Sequence, residues 1–255
     1  MMNHPNSQRL IAPSGTKNLA FDQKQTTSTY TVPKYTAPTY TALTNNSFSR
    51  GSCFSKQASN ETVQYLSASH VLRPQAEDFI KGIFQQHHNA QIRCFLPELF
   101  ATFDECGNTK SVLGLRYAEC ELLYLERYLD QPIETLIEQM VHQSVRRTQV
   151  VEIGNLASLN SASCKALFSF ITQHLQEQKI KWITCTGTSV LRLVFRRLGI
   201  KALSVHQADQ NRLGDEQYEW GSYYDNDPQV MLINVQETNQ HFIDVAKARG
   251  LANSH

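Results

Sequence analysis

From about residue 61 onward the chain alternates between short apolar runs, apolar stripes at helical spacing and polar turns. Residues 62–66 alternate as a strand. Pro74 stands in the first turn of a helix whose apolar side is Phe79, Ile80, Ile83 and Phe84, and which His87-His88 closes. Residues 99–103 and 111–118 read as two strands, joined as a hairpin by the polar, glycine-containing link 104–110. Residues 122–129 lead through Pro132 into a helix carrying Leu136, Ile137 and Met140. Val150 to Ile153 is a strand with β-branched residues around one carboxylate, the pattern of a strand buried on both sides. Gly154 then permits a bend or a close backbone approach. Asn160, Ser161 and Ser163 offer N-caps to a helix with Cys164, Leu167, Phe168, Ile171 and Leu175 on one side. A further strand spans 181–186, and Gly187-Thr188-Ser189 turns into a helix with Leu191, Val194, Phe195 and Leu198, capped by Gly199. The pattern closes with 220–224 and 230–235, read as two strands about the turn 225–228. This order predicts an α/β (α+β) domain: a mixed central sheet of about six to seven strands flanked by helices on both faces.

The unit of strand, polar turn and helix from Val150 to Leu175 is the organising feature. Its helix N-terminus points free N–H groups toward the strand end, where an anion could bind. Outside the patterned region the composition changes. Residues 1–60 are rich in Ser, Thr, Asn, Gln and Pro, with a loose Tyr/Thr/Pro repeat at 30–42. So few aliphatic residues cannot repay the ordering entropy of a core, which predicts a disordered arm. The domain is expected over 61–238, and 239–255 reads as a polar, peripheral tail.

Hydrophobic residues make up 41% of the chain, charged residues 18%, and the net charge is +1. That balance supports a real core and gives no argument for a nucleic-acid partner. No stretch approaches the roughly 18 apolar residues of a membrane span, and residues 1–10 lack a signal-peptide core. The six cysteines include no C-x-x-C pair, the pattern of reduced thiols in a cytoplasmic protein, with export by a signal-peptide-independent route as the alternative. No Cys, His and carboxylate set stands at metal-ligand spacing, and His87-His88 reads as a helix-end pair. Arg146-Arg147 reads as a solvated strand entrance, with phosphate binding as the alternative.

Several segments together resemble a known family. They are Glu126-Arg127-Tyr128-Leu129-Asp130-Gln131-Pro132-Ile133-Glu134, Val151-Glu152-Ile153-Gly154-Asn155-Leu156-Ala157, Trp182-Ile183-Thr184-Cys185-Thr186-Gly187-Thr188, Arg196-Arg197-Leu198-Gly199 and Trp220-Gly221-Ser222-Tyr223-Tyr224. In this order they resemble the thermostable hemolysin family of the GNAT-like acyltransferase superfamily, related in fold to the acyl-homoserine-lactone synthases. The resemblance implies transfer of an acyl group from acyl-CoA or acyl carrier protein to a small amine or hydroxyl acceptor, with the thioester as substrate and no permanent cofactor. The chain departs from the superfamily pattern twice. The phosphate turn Ser158-Leu159-Asn160-Ser161-Ala162-Ser163 has no glycine, and the helix at 189–198 has no tyrosine.

Acyl transfer needs a base, an acid and donors for an oxyanion. Glu152 is the candidate base, or else a buried carboxylate bonded to Arg or backbone. Tyr223 and Tyr224, expected on opposite faces of their strand, offer one acid or pack the core. Asn155, Leu156, Ala157, Ser158, Asn160, Ser161, Ala162, Ser163, Thr184 and Thr186 are the residues expected to line the thioester, Asn155 alternatively satisfying a strand bulge. Cys164 and Cys185 read as small buried hydrophobes. Two readings of other classes stand beside the enzyme. One is a membrane-active hemolysin, against which stand the missing span and the missing basic amphipathic helix. The other is a protein that binds acyl thioesters without catalysis, which the missing glycines favour.

Overall fold

The computed structural model describes residues 62–252. The residues expected to form the N-terminal arm lie outside that range. The hairpin reading holds: β2 (Glu98–Phe103) and β3 (Thr109–Tyr117) are antiparallel neighbours, and β1 (Thr62–Leu66) pairs along the other edge of β2. β4 (Val150–Ser158) adds antiparallel to β3, and β5 (Trp182–Gly187) adds parallel to β4. β7 (Gln229–Asn234) follows, and β6 (Ala202–Gln207) closes the far edge. The result is one seven-stranded mixed sheet in the order β1-β2-β3-β4-β5-β7-β6.

Side chains alternate across this sheet and build a core on each face. Phe100, Leu115, Val151, Ile153, Ile183, Cys185, Met231 and Ile233 point to one face. There they meet α3 (Ser161–Glu177), α4 (Ser189–Leu198) and α5 (Val235–Ala252) through Leu167, Phe168, Ile171, Phe195 and Phe242. The opposite face is covered in two parts. α1 (Arg73–His88) packs Ala76 and Ile80 on Leu99, Ala101, Phe103 and Val112. α2 (Ile133–Val141) and the 3-10 segment Tyr124–Tyr128 pack Ile133, Ile137, Leu125 and Tyr128 with Val150, Val230 and Leu232. The layers meet through largely apolar faces, which is what holds the three together.

At the C-terminal end two expectations are corrected and one strand, β6, has no counterpart in the sequence pattern. Residues 220–224 are not a strand. They link the 3-10 segments Gln210–Trp220 and Tyr224–Asn226, and β7 takes β6 as its hairpin-like neighbour instead. β6 carries no clean alternation because it is an exposed, bulged edge strand, with Leu203 56% exposed. The tail expected at 239–255 is helical through residue 252, as part of α5. Its buried stripe is Val235, Thr238, Asn239 and Phe242. Two of these four are polar, so the stripe hides from a hydrophobicity count. Thr238 Oγ1 donates to Asn234 O at 2.7 Å and Asn239 Nδ2 to Gln176 Oε1 at 2.7 Å, which makes their burial tolerable.

Candidate functional site

β4 and β5 pair as parallel strands only from Val150↔Trp182 to Ile153↔Cys185. Beyond that point β4 continues to Ser158 along β3, while β5 continues to Gly187 along β7. The two strands therefore splay, and the edge of β4 from Gly154 to Ser158 has no strand partner on the β5 side. A bulge sits where they part: the register of β3 on β4 shifts between Val112 and Gly114, and Asn155 takes a left-handed φ of 50°. The Asn155 side chain fixes this conformation, its Oδ1 accepting from Leu96 N at 2.8 Å and its Nδ2 donating to Cys94 O at 3.3 Å. Gly154 and Gly114 lie opposite each other. A Cβ on either would come within 2.9 or 2.7 Å of the Leu96 side chain, so the glycine pair is a trough for Leu96. This is the close approach that Gly154 suggested.

Glu152 lies on the face covered by the 3-10 segment and is 4% exposed. Its Oε2 accepts from Tyr124 N at 2.8 Å and its Oε1 from Leu125 N at 2.9 Å, so it caps the start of that segment. Arg116 is 3.9 Å away. Burial pushes the Glu152 carboxyl up to about 7, against the pull of the two N–H bonds and of Arg116. Both oxygens are thus engaged in holding Tyr124 and Tyr128 over the sheet.

Tyr223 and Tyr224, expected on opposite faces, share one aromatic cluster, because their backbone is a turn and not a strand. Their ring centroids are 5.4 Å apart, and Trp220 lies 5.1 Å from Tyr223 and 6.2 Å from Tyr224. Phe84, His88, Tyr124 and Tyr128 complete the cluster. The Tyr223 hydroxyl donates to Thr186 O at 3.2 Å, at the β5 lip of the splay. The hydroxyls of Tyr128 and Tyr224 bond to each other at 2.5 Å. Burial holds the Tyr223, Tyr224 and Tyr128 phenols well above their usual range, so each stays a protonated donor. A buried phenol of that kind suits hydrogen bonding to an oxyanion better than giving up its proton.

The remaining predicted residues divide. Leu156 packs into the core beneath α3, and Ala157 into the core beneath α1. Thr184 Oγ1 is spent on Met231 O at 3.1 Å, whereas Thr186 Oγ1 is buried without a partner. Ser158 Oγ donates to Asn160 O at 2.8 Å. At the N-terminus of α3 the anion-ready N–H groups are already taken: Asn160 Oδ1 accepts from Ala162 N and Ser163 N, both at 2.9 Å. Ser161 and Ala162 are exposed at that turn. Burial pushes the Cys164 and Cys185 thiols up to about 12, the state of inert core residues.

The Glu126-to-Glu134 motif and Arg147 prove to be fastenings. Arg147 binds Glu126 and Glu134 at 2.7 Å each and donates to Ala118 O at 2.6 Å, so it is not available to a phosphate. Arg127 pairs with Glu216, and Asp130 with Arg212, which ties this motif to the Gln210–Trp220 segment. A surface concavity of about 530 Å³ lined by Lys201, Glu237, His241 and Asp244 lies at the other end of the sheet, where β7 runs into α5, away from the splay.

Sequence reasoning set His88 aside as a helix-end residue and did not single out Trp220, Tyr124 or Tyr128 as site residues. The one available signal for this wall was the Trp220-to-Tyr224 motif. Its partners come from segments about 95 to 140 residues away, and only the fold joins them.

A splayed parallel pair with a bulge on the longer strand, inside a mixed seven-stranded sheet, defines the GNAT-like acyltransferase fold. The chain belongs to the thermostable hemolysin family, whose model matches residues 66–239. Among solved structures it is similar to FeeM, an N-acyl amino acid synthase from uncultured soil microbes, at 13% identity and a TM-score of 0.51, over 71% of this chain and 94% of that one. The AHL synthase LasI matches at 8% identity and a TM-score of 0.48, over 70% and 91%. BjaI, a CoA-dependent acyl-homoserine lactone synthase solved with SAM and isopentyl-CoA, matches at 8% and 0.49, over 72% and 88%. No curated protein matches the chain.

Proposed function

We propose that this protein transfers an acyl group from a CoA or acyl-carrier-protein thioester to a small amine or hydroxyl acceptor. The observation that carries the reading is the splay: pairing stops at Ile153↔Cys185 and leaves the β4 edge from Gly154 to Ser158 open toward β5. An extended, amide-bearing chain such as pantetheine can add to that edge as a surrogate strand. The likeness to FeeM, an N-acyl amino acid synthase, supports an acyl-transfer reading with an amino-group acceptor. In this reading Asn155 to Ser158 line the β4 side of the donor and Thr186 the β5 side. The donor's phosphates seat at the α3 N-terminus, displacing the Asn160 side chain from the Ala162 and Ser163 amides. Tyr223 turns its hydroxyl from Thr186 O to supply a hydrogen bond to the oxyanion. Glu152 positions the Tyr124–Tyr128 segment, and Tyr224 with Tyr128 closes the wall. The exposed free thiols Cys94, Cys106 and Cys120 fit a reducing compartment, and we place the reaction in the cytoplasm.

The test is ligand-linked stability together with thiol release. Octanoyl-CoA should raise the melting temperature as a ligand of the native state does, and free thiol should appear with turnover. Ala162→Glu, which sets a carboxylate at the phosphate seat, should abolish the shift while leaving the unliganded melting temperature unchanged. Stabilisation without thiol release would make this a thioester-binding protein. No response to octanoyl-CoA or to octanoyl carrier protein would overturn the reading.

A further inference from the structure

Among the described residues three side-chain polar atoms are buried without a hydrogen-bond partner: His88 Nδ1, Thr186 Oγ1 and Arg116 Nε. Arg116 Nε faces the Glu121 carboxylate at 3.3 Å, which accounts for it. The other two belong to residues that both touch Tyr223. The His88 ring stands edge-on to the Tyr223 ring at 5.2 Å, and the Tyr223 hydroxyl reaches the main-chain oxygen of Thr186. Buried polar atoms without partners are costly and rare. Two of them belong to residues that touch one tyrosine, at the β5 lip of the splay, and a bound molecule's own hydrogen-bonding groups would satisfy them.

His88 is held there by the backbone. Its carbonyl accepts from Ser222 N at 2.8 Å and Ser222 Oγ at 3.2 Å, and Glu219 O accepts from Gln91 N at 2.7 Å. Gly221, at a φ of 53°, lies so close that a Cβ would meet the His88 carbonyl oxygen at 2.1 Å. The end of α1 and the Trp220-to-Tyr224 turn are therefore locked together, and the imidazole has a fixed address beside Tyr223.

We propose that His88 is the acid–base residue on the acceptor side of this site, with the Thr186 hydroxyl orienting the acceptor. The inference rests on the acyl-transfer reading above and names the base that Glu152, spent on two backbone amides, does not supply. As the acceptor's nitrogen or oxygen forms its bond to the thioester carbonyl carbon, neutral His88 takes the proton that atom loses. The Tyr223 hydroxyl turns from Thr186 O and donates its hydrogen bond to the oxyanion. Collapse of the tetrahedral adduct breaks the C–S bond, and His88 returns the same proton to the leaving thiolate. The products are the acylated acceptor and a free thiol, with His88 neutral again. Burial and the neighbouring His87 both lower the His88 pKa below its ordinary value, which keeps the imidazole in the base form at neutral pH.

The experiment uses the full chain and octanoyl-CoA, with thiol release measured to water and to hydroxylamine. His88→Ala and His88→Gln should keep the stabilisation by octanoyl-CoA and lose about 10²–10⁴ in thiol release to water, the usual worth of general acid–base catalysis. Hydroxylamine, a nucleophile that needs little help from a base, should be acylated by both variants within a few-fold of the wild-type rate. Added imidazole should restore release to water in His88→Ala, where it has room, and not in His88→Gln. Thr186→Val should weaken acceptor use, read as a higher hydroxylamine concentration for half-maximal thiol release. Wild-type release to water in the His88 variants would overturn the assignment. So would a loss that neither imidazole nor hydroxylamine rescues, or an octanoyl-CoA-stabilised wild type that releases no thiol to either nucleophile. A wild type that octanoyl-CoA does not stabilise, and that releases no thiol from it, would defeat the acyl-transfer reading itself, and this proposal with it.

Discussion

At the scale of single residues, Glu152 shows how burial and hydrogen bonding divide a carboxylate's work. Its two oxygens each accept one backbone N–H, so Glu152→Gln turns one acceptor into a donor facing another donor. We expect that substitution to destabilise the fold by about 1–3 kcal/mol, the cost of leaving a buried donor unsatisfied. Activity per folded molecule should be largely retained, which denaturant unfolding and turnover on one preparation will separate. The pH dependence has a definite sign. Burial raises the folded pKa from the ordinary 4.5 to about 7, so the native state holds this proton where the unfolded chain has lost it. The contribution is fully present below about pH 4.5 and is lost as pH rises through about 7. The stability difference between wild type and Glu152→Gln should therefore slope across that window, and a flat difference would count against it. Gly221 offers a second residue-scale test. Gly221→Ala places a Cβ against the His88 carbonyl in a left-handed conformation, and should cost about 1–3 kcal/mol of stability by thermal or denaturant unfolding.

At the scale of elements, the α3 N-terminus and the Arg147 hub carry the clearest expectations. Asn160 caps α3 through two backbone N–H groups. Replacing an Asn N-cap by Gly costs only a few tenths of a kcal/mol, and here it frees both amides. Asn160→Gly should therefore leave melting nearly unchanged and increase the stabilisation by CoA. An unchanged CoA response would move the phosphates elsewhere. Arg147 joins α2, the 3-10 segment and the entrance to β4 through Glu126, Glu134 and Ala118 O. Arg147→Met leaves Glu126 largely buried among carboxylates and should cost about 2–3 kcal/mol in unfolding free energy. It lies away from the splay, so CoA binding by the folded fraction should survive.

At the scale of the whole molecule, α5 completes the core instead of trailing from it. Phe242 is 4% exposed within the cluster formed with α3 and α4, and His241 bonds Leu198 O at 3.0 Å. Truncation after residue 238 removes that side chain together with the Asn239–Gln176 bond. Loss of a buried Phe alone costs about 3–5 kcal/mol, so the shortened protein should lose its cooperative thermal transition. Retention of the transition would return this segment to the periphery. Among the described residues no helix is long and apolar enough to cross a membrane.

How much of this was legible in the chain follows from which interactions are local. The strands and helices with apolar periodicity were readable: β1 to β5, α1 to α4 and the Gly199 cap all arise from spacing and capping residues within a few positions of one another. The central strand, the glycine after it and the Asn160 cap were readable for the same reason. β6 and α5 were not, because an exposed bulged edge and a half-polar stripe leave no hydrophobic period. The site was legible only in part. Tyr223 and Thr186 could be named from the motifs, but the Tyr223 side chain could not be aimed, since a turn and a strand direct it differently. His88 joins it from 135 positions earlier because Gly221 and Ser222 lock the end of α1 to the turn. Glu152 could be placed in a buried strand, but its partners, the amides of Tyr124 and Leu125, belong to a segment that only sheet packing brings within hydrogen-bond reach. Local spacing decides what an element is; which side chains converge is decided by register, bulge and loop closure, and those exist only in the folded chain.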